Sequence, residues 1–101
     1  MKIYISGKRN EHERYEEAEE RLKKEGHEVI NYIKISRQLP GMTRSEHETM
    51  EHMLIQLCDA VFVLKEWKDS EPARAEVFYA LENAVNIIFE QIEKVEELPF
   101  I

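Results

Sequence analysis

Four short apolar runs constrain this chain more than any other feature: "KIYIS" at 2–6, "EVINYI" at 28–33, "AVFVL" at 60–64 and "NIIF" at 86–89. Near-continuous runs suit strands covered on both faces, because a strand with one wet face would alternate. The segments between them repeat their apolar residues at helical spacing. "EHERYEEAEERLKKEG" places Tyr15, Ala18 and Leu22 on one stripe, with acids early, lysines late and Gly26 as a stop, an order that suits the helix dipole. "TRSEHETMEHMLIQLC" offers Ser45 with Glu48 as a capping box, followed by Met50, Met53, Leu54 and Leu57 as its apolar stripe. "EPARAEVFYALENA" carries Pro72 in its first turn, where proline is tolerated, and a stripe of Ala73, Val77, Ala80, Leu81 and Ala84. The tail "EQIEKVEEL" reads as a last helix.

Strand and helix alternating in this way predict successive βαβ units with right-handed crossovers. The expected fold is a small flavodoxin-like or Rossmann-like three-layer α/β domain with a parallel sheet of four or five strands. At 101 residues there is material for one core, so residues 1–101 are read as a single domain. The one long connection, "IKISRQLPGMTR" at 33–44, is a candidate lid or binding loop. No apolar run approaches the roughly 20 residues of a membrane span, and "MKIYISGKRN" has no signal-peptide core, so a cytoplasmic location is expected. Cys58 is the lone cysteine, which excludes an internal disulfide. A net charge of −7 argues against a nucleic-acid polymer or an anionic membrane surface as partner.

In an open parallel sheet, ligands bind beyond the carboxyl ends of the strands. Here that edge is formed by residues 6–10, 33–44 and 65–74. These loops hold Lys8, Arg9, Lys34, Arg37 and Arg44, with a third group of balanced charge, so the edge is basic while the rest of the chain is strongly acidic. A basic rim on an acidic body suggests a small anionic ligand, of which a phosphate is the simplest. The ordinary alternative is that acids favour helices and leave the loops basic by default.

Two carboxylates sit in unexpected places. With about 100° of rotation per residue, Glu76 lies on the border of the apolar stripe of its helix, and Glu51 falls among Leu54, Ile55 and Cys58. Two partly desolvated carboxylates near one pocket can hold different protonation states, as general acid–base and glycosyl-transfer chemistry require. The plainer alternative pairs Glu51 with His47 one turn earlier and lets Glu76 reach water along the helix edge. A metal site from His47, Glu51 and His52 is disfavoured, since histidines five apart point to different faces of a helix. No metal or cofactor is expected.

The segments "MKIYISG", "AEERLKKEGHEVINY", "MEHMLIQLCDAVFVLKEW" and "SEPARAEVFYALE" together resemble the nucleoside 2-deoxyribosyltransferase-like superfamily, in particular its short bacterial and phage branch. They are also similar to the 2'-deoxynucleoside 5'-phosphate N-hydrolases. The resemblance runs from residue 1 to about 90, and its most specific part extends from "CDAVFVL" through Trp67, Ser70 and Glu76 to Ala80. It implies that Glu76 is the nucleophile that attacks the anomeric carbon, and that Glu51, where the family has an aspartate, assists the leaving base or orients the nucleophile. Ser70 and Gly7 match phosphate-side residues of the hydrolases, and Lys8 and Arg9 of the basic rim are expected to hold the same phosphate. Tyr15 matches a tyrosine of the same hydrolases, or else belongs to the core, and Trp67 stacks on the base or closes the core. The implied ligand is a nucleoside or nucleoside 5'-monophosphate, and the implied assembly is a homodimer or higher homo-oligomer. The family usually has glycine four residues before the nucleophile, where this chain has Pro72. Proline removes an N–H that could hold a phosphate oxygen, which supports the alternative of a non-catalytic nucleotide-binding or sensing module.

Overall fold

The computed structural model describes residues 1–90. The expected tail helix lies outside the described residues. The elements follow in the order β1 (Lys2–Ser6), α1 (His12–Lys24), β2 (Glu28–Ile30), α2 (Tyr32–Ser36), α3 (Arg44–Gln56), β3 (Ala60–Val63), a single 3-10 turn (Trp67–Asp69), α4 (Glu71–Glu82) and β4 (Asn86–Phe89). The four strands form one parallel sheet in the order β2-β1-β3-β4. The chain therefore steps one way from β1 to β2 and the other way from β2 to β3. With right-handed crossovers this reversal sends the helices to opposite faces.

The core divides accordingly. On one face Tyr15, Ala18 and Leu22 of α1 pack on Ile3, Ile5, Ala60, Phe62 and Leu64. On the other, Ile55 of α3 and Val77 and Ala80 of α4 pack on Tyr4, Val61 and Val63. The expected three-layer α/β arrangement is the one observed, with four strands among the described residues. Among them, no helix is long and apolar enough to cross a membrane.

Several local expectations need correction. "EVINYI" is not strand throughout: Asn31 accepts a hydrogen bond from the Ile33 N–H at 3.1 Å and starts α2. An asparagine that caps a helix outweighs the apolar character of the residues beside it. The first part of the long 33–44 connection is thus helical. α3 starts from Thr43, whose hydroxyl accepts from the Glu46 N–H while the Glu46 carboxylate accepts from the Thr43 N–H. Ser45 with Glu48 is an overlapping match to the same pattern, two residues inside the helix. Met53 and Leu57, expected to be buried, are 62% and 66% exposed. Leu81 is likewise exposed at 61%, and Ala84 follows the end of α4 with a left-handed φ of 57°.

Candidate active site

The residues that face inward on α3 explain why its apolar stripe was misjudged. Arg44, His47, Glu48, Glu51 and His52 recur at helical spacing, and all line one cavity of about 240 Å³. The stripe directed inward over this part of the helix is polar because it faces a cavity rather than the sheet. α4 closes the opposite wall with Pro72, Ala75 and Glu76, while Arg9, Tyr32, Ile33 and Ser36 complete the lining.

Glu76 is 1% exposed and sits at the centre of a hydrogen-bonded group. Its Oε1 accepts from the Ser6 hydroxyl at 2.6 Å, and its Oε2 accepts from the Tyr4 hydroxyl at 2.6 Å and from Arg9 Nη2. Tyr4 and Ser6 were missed in the sequence, although alternation along β1 gives a signal: Ile3 and Ile5 face α1, which leaves the hydroxyls of 4 and 6 together on the other face. Two hydroxyls within a buried apolar strand require partners, and a carboxylate is the partner found.

Arg9 Nη2 also donates to Glu51 Oε2 at 2.9 Å. Glu51 therefore pairs with Arg9; His47, the alternative partner, lies with Nδ1 2.7 Å from the Tyr32 hydroxyl. Nor does Glu76 reach water along its helix. Because both Oε2 atoms touch one nitrogen, at 2.9 and 2.5 Å, they lie within about 5.4 Å of each other, so a single guanidinium bridges the two carboxylates.

Electrostatics separates the group into distinct states. Burial, and then repulsion from Glu76, push the Glu51 carboxyl up to about 7 against the opposing pull of Arg9. A carboxyl at that value is part acid, part base at neutral pH. Burial raises Tyr4 well above its ordinary value, with the Glu76 charge adding to it, so Tyr4 stays a neutral donor. Burial works against the charge on Arg9, but Glu76, Tyr15, Tyr4 and Glu51 together hold it firmly protonated.

The remaining candidates lie at varying distances from this centre. Tyr15 is fully buried, donates to the Gly7 carbonyl at 2.8 Å and accepts from Arg9 Nη1 at 2.7 Å, so it is at once core and anchor for Arg9. Gly7 owes its identity to packing: a Cβ there would come within 2.9 Å of Leu64 Cδ1 and 3.0 Å of its Cβ. Lys8 pairs with Glu11 at 3.8 Å and does not line the cavity. Ser70 is the N-cap of α4, its hydroxyl accepting from the Ala73 N–H at 3.3 Å, and it too lies outside the cavity lining. Trp67 packs against the α3/α4 side of the core and tilts over Phe89 at 5.8 Å. His47 and His52 both line the cavity but meet different partners, His47 the Tyr32 hydroxyl and His52 the Tyr79 ring, on which it stacks at 4.0 Å.

The model of one protein family covers residues 1–89, nearly the whole of the described chain; its description is Domain of unknown function (DUF4406). The chain belongs to this family. No curated protein and no solved structure matches it. The description of the DUF4406 family assigns no chemistry. The chemical reading of this DUF4406 chain rests on the geometry around Glu76.

Proposed function

We propose that the protein breaks the N-glycosidic bond of a nucleoside 5'-monophosphate, or of the nucleoside itself, through a covalent intermediate on Glu76. The observation that carries this reading is the closeness of Glu76 and Glu51 across one guanidinium at the floor of a cavity, with Glu51 titrating near neutrality. A carboxylate oxygen of Glu76 attacks the anomeric carbon as the carbon–nitrogen bond breaks. The bonding pair leaves with the base, which takes a proton from Glu51. Glu51, now a carboxylate, then removes a proton from water, or from an acceptor base, as that group attacks the anomeric carbon and releases Glu76. The order returns the proton to Glu51 and leaves the enzyme unchanged.

Incubation with 2'-deoxynucleoside 5'-monophosphates, followed by chromatography, is expected to show free base, with loss of turnover in Glu76→Ala. Turnover undiminished in that variant would sink the assignment. One observation favours a non-catalytic binding module instead: Arg9 already occupies Glu76 Oε2, and Pro72 at the cavity wall offers no N–H. On that reading calorimetry detects nucleotide binding, no base appears, and Glu76→Gln binds as the parent does. A cytoplasmic location and self-association belong to the same proposal. The exposed side chains of Met53 and Leu57 on α3, and of Phe78 and Leu81 on α4, support the latter. Light scattering reads the oligomeric state.

A further inference from the structure

Among the described residues Arg9 is the one cation in contact with either Glu51 or Glu76. Its Nη2 covers both Oε2 atoms, and its Nη1 is held by Tyr15, which is itself tied to the Gly7 carbonyl. The Arg9 side chain is 27% exposed where that of Glu76 is 1%, so a ligand entering the cavity meets the guanidinium before it meets the nucleophile. A phosphate dianion can take a guanidinium in a bidentate pair and compete for it with carboxylates. A neutral nucleoside has nothing to offer in exchange.

We infer that Arg9 is a specificity-determining latch: the phosphate of a bound nucleotide draws its guanidinium off the two carboxylates, uncovering Glu76 and causing Glu51 to take up a proton from solvent. This rests on the reading of the cavity as a nucleotide site. Once the cation leaves, two neighbouring carboxylates cannot both remain charged at low cost. Tyr4 and Ser6 still donate to Glu76, whereas Glu51 has lost its one donor among the described residues, so Glu51 receives the proton. The groups around Glu51 are Arg9 from the loop after β1, Tyr4 of β1, Tyr32 of α2, Glu76 of α4, and Arg44, His47, Glu48 and His52 of its own helix. The leaving base then meets a fully protonated acid when the substrate carries a phosphate.

The test is calorimetric titration of the full chain at pH 7 with a 2'-deoxynucleoside 5'-monophosphate and with the matching nucleoside. Each titration is run in two buffers of different ionisation enthalpy, and base release is followed in the same samples. The expected result is uptake of about half a proton per nucleotide, since Glu51 starts near half-protonated, and at least about tenfold weaker binding of the nucleoside with no uptake. Glu51→Gln should bind the nucleotide without proton uptake, and Arg9→Gln should lose the preference for nucleotide over nucleoside. Uptake that persists in Glu51→Gln, equal binding of nucleoside and nucleotide by the parent, or no nucleotide binding at millimolar concentration overturns the latch. Proton-coupled binding with no base release sustains the latch and refutes the glycosidase reading. Base release from both ligands alike, without uptake, does the reverse.

Discussion

A buried carboxylate is tolerable only if its lone pairs are served, and the two oxygens of Glu76 are served unequally. Oε2 accepts from Tyr4 and Arg9, while Oε1 accepts from Ser6. Hydrogen bonds to a charged group contribute about 1.5–3 kcal/mol each, and a buried charged acceptor left without one costs at least as much. Ser6→Ala, which strips Oε1, is therefore expected to lose about 3 kcal/mol, and Tyr4→Phe, which leaves Arg9 on Oε2, about 2 kcal/mol. Urea denaturation at unchanged m-value gives both numbers. Equal and small losses would mean that the Glu76 carboxylate turns to recover its partners, contrary to a fixed nucleophile. At this scale the sequence was partly legible. Glu51 stood out because it fell within an apolar stripe and Glu76 because it lay on the border of one, whereas Arg9 as their common partner could not be read from it, since the pairing spans 42 and 67 residues of chain.

Elements that depend on a single periodic signal were legible, and those set by overlapping signals were not. α1 follows its stripe of Tyr15, Ala18 and Leu22, and Gly26 ends it with a left-handed φ of 94°. The start of α3 was ambiguous because "TRSEHE" contains two Thr/Ser-x-x-Glu matches in overlapping register. What decides between them is the backbone: Thr43 is extended, with φ −74° and ψ 164°, so its side chain can turn back to the Glu46 N–H. Thr43→Ala is expected to destabilise the protein by about 1 kcal/mol and Ser45→Ala by less than about 0.5 kcal/mol. Thermal melts of the two variants make the comparison, and the opposite ranking would return the helix start to Ser45. The same conflict of signals hid the cavity: a helix whose inward stripe is polar over its first two turns looks misregistered until the cavity it faces is known.

At the scale of the whole molecule, two buried glutamates impose opposite pH dependences on stability. Glu19 joins α1 to the segment after β2: Lys23, Lys34 and Asn31 donate to it at 2.7, 2.9 and 3.1 Å. Burial alone would raise this carboxyl, but those hydrogen bonds overcome it and hold the group at about 2, below the ordinary 4.5. Its contribution is thus present above pH 4.5 and is lost as the pH falls towards 2. Glu51 is raised instead, to about 7, so the folded state binds its proton more tightly than the unfolded chain does. Its contribution is present below pH 4.5 and is lost as the pH rises to 7, by up to about 3 kcal/mol if the shift acts in full. The two losses leave a maximum near pH 4.5–5, more acidic than the pH 5–8 range usual for proteins. Denaturant unfolding from pH 3 to 8 is expected to show that maximum. Glu51→Gln should flatten the neutral limb, ending more stable than the parent at pH 8, and Glu19→Gln should flatten the acid limb. A parent whose stability rises from pH 5 to 7 and is matched there by Glu51→Gln would show that Arg9 keeps Glu51 charged throughout. The carboxylate pair would then have no proton to give a leaving base.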